Sequence, residues 1–234
     1  MSLKCRSAFN DGVKPRGKRW RISSERKGHP DMAILLLIRH GQNDMVGEKL
    51  AGRLPGVHLN DHGIAQARRL AAETAHLHLQ AVYSSPLERA RETAEPIARV
   101  HDLDVEIVPD LIEIDFGDWQ GKRLKRLKKD RLWKTVQSKP GAFRFPNGES
   151  FAEAQSRVVE GLTRLSEHHG KDEMIACVAH SDVIRLAVAH FLRLPLDEFQ
   201  RVRISTASLT VMYLHEGHAF FDAINHRLGS LKIG

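Results

Sequence analysis

Short apolar runs alternate along this chain with longer amphipathic ones, and that alternation restricts the possible folds more than any other feature. The runs at 33–39 ("AILLLIR"), 80–85 ("QAVYSS") and 173–181 ("EMIACVAHS") have the length and residue types of strands. The stretches "HGIAQARRLAAETAHL", "PLERARETAEPIARVH", "SFAEAQSRVVEGLTRLSEHH" and "DVIRLAVAHFLRL" carry apolar residues at helical spacing. Pro86 is expected in the first turn of its helix, and Ser150 with Glu153 three places on makes a capping box. "DVEIVPDLIEIDFGDWQG" reads as a further extended region, and "ASLTVMYLHEG" with "HAFFDAINH" as an edge hairpin. Strands alternating with helices of roughly ten or more residues predict an α/β fold, a mostly parallel sheet with helices on both faces. A basic, largely helical excursion interrupts the pattern before about Gly148.

A buried strand normally ends in turn-forming residues; Gly41 suits that role, whereas Arg39 and His40 do not. Ser84 and Ser85 end a second strand and His180 a third. Ligands of such sheets bind beyond the carboxyl ends of the strands, so these polar groups are expected along one edge.

The 234 residues, 41% hydrophobic, suit one domain over 32–234 preceded by a basic head. The net charge of +7 suggests nucleic acid until it is divided along the chain. Nine Lys or Arg against Asp11, Glu25 and Asp31 give residues 1–31 a charge of +6, and eight bases against Asp130 give 122–134 a charge of +7. The remainder carries −6, which weighs against a nucleic-acid partner for the body. The head lacks periodicity and reads as flexible, or as an overextended start, since Met32 opens the first strand naturally. No run approaches the roughly 18 apolar residues of a membrane span, so no membrane partner is expected. Cys5 and Cys177 lie far apart without metal or redox spacing, which fits a reducing, cytoplasmic setting.

Two strand-end histidines, with Arg39 beside His40 and Arg89 in the helix after the second strand, predict a cationic cleft for phosphate. Arginine offers a planar fork of donors that matches phosphate oxygens, and a neutral imidazole is a nucleophile near about pH 7. Taken alone, His180 is one of 14 histidines and reads as structural, and Arg89 and Arg91 read as solvated helix charges. The order Arg39-His40-Gly41 after an apolar strand fits no packing role. Glu113, between Ile112 and Ile114, is expected to be partly desolvated, with a raised pKa.

The segments "LIRHGQ", "SSPLERARETA", "EIDFGDWQG" and "VAHSDVIR" resemble, in that order, the four signature segments of the histidine phosphatase superfamily, also called the phosphoglycerate mutase-like family. The resemblance runs over about residues 33–226. It implies that His40 takes up the phosphoryl group, that Arg39, Arg89 and a protonated His180 bind it, and that Glu113 protonates the leaving group. Asn43 and Ser181 are further candidates. Ser181 stands where the family usually has glycine and is expected to cap the next helix. No metal and no cofactor are implied, and the chain has no HExxH, Cys/His cluster or Walker loop.

The superfamily contains mutases and phosphatases. Mutases follow the acid/base glutamate with an arginine and then a tyrosine, where this chain has Ile114 and Phe116. Met45 and Val46 stand where mutases carry a tryptophan-asparagine pair. The expectation is therefore a metal-independent phosphomonoester hydrolase acting through a phosphohistidine on a small phosphorylated metabolite. Phosphoglycerate mutase-type transfer is the alternative, ahead of a non-catalytic phospho-ligand or nucleic-acid binder. The residues do not name the substrate, and monomer and homodimer fit equally. The basic segment 122–134 reads as a solvated helix face with Leu124, Leu127 and Trp133 turned inward, or as a collar that draws anionic substrates to the mouth.

Overall fold

Strand β1 (Ala33–Arg39) is buried along all but its last residue, as befits the interior of a sheet covered on both sides. It belongs to a computed structural model that describes residues 32–227. Residues 1–31, and with them the expected flexible head, lie outside the described residues, as do 228–234. After β1 come α1 (Asp61–Thr74), β2 (Leu79–Ser84), α2 (Glu88–Val100) and β3 (Val105–Ile107). Two short helices, α3 (Leu124–Leu127) and α4 (Arg131–Ser138), precede the long α5 (Phe151–Glu167), β4 (Met174–Ala179) and α6 (Ser181–Phe191). A hairpin of β5 (Ser208–His215) and β6 (His218–Arg227) closes the order. The sheet runs β3-β2-β4-β1-β5-β6. Its first four strands are parallel, and the hairpin is antiparallel along one edge, as the alternation predicts.

The period of two along β1 divides the core. Ile34, Leu36 and Ile38 pack with Leu70 of α1 and Ala90, Ala94 and Ile97 of α2. Leu35 and Leu37 face the other way, toward Ala154, Val158 and Leu162 of α5 and Val183 and Leu186 of α6. Each such side chain removed from water contributes roughly 2 kcal/mol, so both faces of β1 anchor it in the core. The capping box of α5 is present: Glu153 N donates to Ser150 Oγ at 3.2 Å and Ser150 N to Glu153 Oε2 at 2.9 Å. Among the described residues no helix is long and apolar enough to cross a membrane.

Two local expectations are corrected. Pro86 lies ahead of α2, whose N-cap is Leu87, because Ser85 N still bonds Val178 O and carries the strand ladder one residue further. The extended region after α2 shrinks to Val105–Ile107. Pro109 lacks an N–H and starts a tight turn at Pro109–Leu111, so the chain leaves the sheet there. That departure carries Glu113 to the cavity at the strand ends.

Candidate active site

The parallel ladder brings the two histidines together. β1 and β4 pair Arg39 with Ala179, so His40 and His180 leave adjacent strands side by side. Their ring centroids are 5.2 Å apart and the rings are tilted by 58°. His40 N donates to Ala179 O at 3.0 Å, which extends the ladder to the histidine itself. His40 Nδ1 lies 2.7 Å from Gly41 O; a carbonyl only accepts, so Nδ1 carries the proton and Nε2 keeps its lone pair. Gly41 N donates to Thr93 Oγ1 at 3.0 Å, and that hydroxyl donates to Arg89 O at 2.7 Å, which ties the loop to α2.

Both arginines bring buried donors. Arg89 is 1% exposed, and its Nη2 donates to Gly52 O at 2.8 Å. Its Nε and Nη1 have no hydrogen-bond partner among the described residues, and neither has Arg39 Nε. The other end of Arg39 is held by Ile204 O, 2.8 Å from Nη1. Buried donors without acceptors are costly, so this donor set suits an anion.

His180 is fully buried, with Nε2 2.7 Å from Ser85 Oγ. Burial, followed by the Arg89 guanidinium, pushes both imidazoles well below the ordinary histidine value. Burial first, and then the Arg89 guanidinium, thus oppose the proton on His180 that the resemblance implies. Glu113 is buried, and its Oε1 accepts Ile114 N at 3.0 Å. Burial raises its carboxyl to about 7, Asp182 adds to the rise, and Arg89 opposes it.

A cavity of about 370 Å³ opens here, lined by Arg39, His40, Arg89 and Glu113 together with Asn43 and Ser181. His180 touches the ring of His40 but does not line the cavity. Asn43 is buried, and its Oδ1 accepts Met45 N at 3.0 Å. Ser181 does not cap α6: His180 holds the N-cap position, and Ser181 Oγ lies 3.4 Å from Ile204 O. Arg91 is exposed, a solvated helix charge. Phe116, Leu50 and Leu124 form apolar wall, the last of these from the basic segment. Leu127 is buried and Trp133 stacks on Trp119 at 6.0 Å, so the segment turns its apolar side inward beside the mouth.

Several contributors escape sequence reading. Asp182 and Arg185, paired at 2.8 Å, line the cavity and sit in the segment "VAHSDVIR" that already singled out His180. Thr93, within "SSPLERARETA", acts through its hydroxyl on Gly41 N, and Gly52 through its carbonyl on Arg89, partners distant in the chain. Among the described residues, no three His, Cys, Asp or Glu side chains are grouped to hold a metal ion.

Two buried imidazoles at the strand ends of an open α/β sheet, with the buried Arg89 of α2 and the half-buried Arg39 beside them, make a cationic site suited to an anion. The chain belongs to the histidine phosphatase superfamily (branch 1), which it matches over residues 35–227. Its relatives include phosphoserine phosphatase 1 of Hydrogenobacter thermophilus, 30% identical over 190 residues that cover 79% of this chain and 88% of the relative. A 2,3-bisphosphoglycerate-dependent phosphoglycerate mutase of Thermoplasma acidophilum is 31% identical over 187 residues, 80% of this chain and 90% of the mutase. Among solved structures, a mycobacterial glucosyl-3-phosphoglycerate phosphatase superposes with a TM-score of 0.76 at 25% identity, covering 84% of this chain and all of the other.

Proposed function

We propose that the chain is a metal-independent phosphomonoester hydrolase that works through a phosphohistidine at His40. The observation that carries this reading is the environment of His40: Nδ1 is engaged by Gly41 O, and among the described residues neither Nε2 nor the buried guanidinium donors Arg39 Nε, Arg89 Nε and Arg89 Nη1 have a hydrogen-bond partner. The Nε2 lone pair attacks phosphorus, the P–O ester bond breaks, and the leaving oxygen takes the proton of Glu113. Water then attacks the phosphohistidine, gives a proton to the Glu113 carboxylate, and breaks the P–N bond to release phosphate. Arg39 and Arg89 stabilise the negative charge spread over the equatorial oxygens. A phosphoryl group beside His180 would raise its pKa again, so a proton there is acquired with the substrate rather than held beforehand. Asn43 and Ser181 complete the lining.

The Thermoplasma relative makes mutase transfer the second reading. Hydrolysis is favoured because Ile114 and Phe116, both buried, offer neither charge nor hydroxyl where the resemblance places a mutase's arginine and tyrosine. A small phosphorylated metabolite as substrate and a cytoplasmic setting belong to the same proposal.

The test is phosphate release by the wild type and by His40→Ala, with chelator present, on p-nitrophenyl phosphate and a panel of cellular phosphate esters. Chelator-resistant turnover that disappears in His40→Ala is expected. Turnover that survives His40→Ala overturns the mechanism.

A further inference from the structure

Three charged side chains outside the cavity grip the backbone on both sides of Glu113. Arg157, on α5, donates through Nη1 to Asp110 O at 2.7 Å and to Ile112 O at 2.9 Å. Its Nε and Nη2 meet the two oxygens of Glu149 at 3.2 and 3.1 Å, a two-pronged pair. Glu149 also accepts Asp115 N at 3.0 Å and pairs with Arg53 Nη2 at 2.8 Å. Arg53 in turn donates from Nε to Glu113 O at 2.8 Å.

As a staple between α5 and a loop, this network would need only one or two of these bonds. Instead the contacts fall on the carbonyls of Asp110, Ile112 and Glu113 and the amide of Asp115, bracketing a single residue. Among the described residues, the carboxyl of Glu113 makes its hydrogen bond to the adjoining amide of Ile114, so its position follows the backbone. The neighbour of Arg53 matters equally: Gly52 O accepts Arg89 Nη2 at 2.8 Å. Two consecutive residues thus hold a phosphate-site guanidinium and the backbone of the proton donor.

We propose that Arg53, Glu149 and Arg157 are positioning residues that fix the carboxyl of Glu113 relative to Arg89 and the reacting phosphoryl group, an inference resting on the proposed role of Glu113. Proton donation to a leaving oxygen needs hydrogen-bond reach, and a misplacement of about 1 Å costs on the order of a hundredfold in rate.

The test compares kcat/KM for Arg53→Met, Arg157→Lys and Glu113→Gln on p-nitrophenyl phosphate and on an alkyl phosphate that the wild type hydrolyses. The nitrophenolate leaves with little protonation; an alkoxide does not. Arg53→Met and Arg157→Lys are expected to lose about tenfold or more on the alkyl ester and less than about threefold on the aryl ester. In a Glu113→Gln background neither should cause any further loss. Arg157→Lys keeps the charge, and thermal unfolding verifies that each variant is folded. Equal losses on both esters in folded variants overturn the proposal, as does a full additional loss in the Glu113→Gln background. If Glu113→Gln itself loses equally on both esters, the role of Glu113 falls and the proposal with it, which is distinguishable from failure of the positioning network alone.

Discussion

The rings of His40 and His180 stand 5.2 Å apart, and burial together with Arg89 disfavours a proton on either. Their folded values lie below the ordinary 6.5, so the unfolded chain binds more protons once the pH drops under that value. The stability they contribute is fully present above 6.5 and is lost as the pH falls below it. The midpoint of urea unfolding should therefore decline from pH 7 toward pH 5, and His180→Gln should flatten that decline. Equal declines in the wild type and His180→Gln would show that His180 is not buried neutral.

Glu113 has the opposite sign. Its carboxyl, raised from 4.5 to about 7, is in the acid form below that pH and loses it above. For an alkyl phosphate, kcat/KM should fall as the pH passes about 7, and Glu113→Gln should remove the fall while lowering the plateau about 10²- to 10⁴-fold. Because the folded pKa exceeds the unfolded one, the related stability is present below 4.5 and lost as the pH rises through about 7. Glu113→Gln should accordingly be more stable than the wild type at pH 8, by up to about 3 kcal/mol. Chemical denaturation of the two proteins at that pH measures the difference.

Gly63 offers a backbone test. A Cβ there would lie 2.1 Å from Gln42 O, two residues from His40. Helix propensity alone favours alanine by about 1 kcal/mol, yet the clash reverses the sign. Gly63→Ala should destabilise the fold by about 1–3 kcal/mol and lower turnover by displacing the loop that carries His40. Equilibrium unfolding and kcat on p-nitrophenyl phosphate check both.

Salt separates the two readings of the basic segment. Its eight bases stand against Asp130 alone, whose carboxyl caps α4 by accepting Leu132 N. With a screening length of about 10 Å at 0.1 M, added salt should lower kcat/KM on a highly charged phosphate ester more than on p-nitrophenyl phosphate. Equal effects on both leave the segment a solvated helix face.

Periodicity and punctuation act within a few residues, and that is why so much of the fold was legible. The two-residue period of "AILLLIR", the helical spacing around Leu70 and Ile97, and the capping box at Ser150 each depend on near neighbours. They predicted the parallel sheet and placed His40, Ser85 and His180 at the ends of its strands. Pro86 and the stretch after Ile107 were misread because hydrogen bonds to distant strands, Ser85 N to Val178 O and Val108 N to Ser84 O, decide where each strand stops.

The sequence by itself thus determined the element order, the strand-end location of the polar groups, and Arg39, His40, Arg89, Glu113 and His180 as candidates. Tertiary structure decided their states and company. Ser85 and His180 are 95 positions apart in the chain, yet Nε2 and Oγ lie 2.7 Å apart. Arg53 reaches a carbonyl 60 positions away, and Arg157 reaches two carbonyls more than 40 positions away. The physical reason is range: periodicity is a local property of the chain. Desolvation, which with the Arg89 guanidinium disfavours a proton on His180 and with Asp182 raises the Glu113 carboxyl to about 7, is supplied by segments that meet only when the sheet has formed.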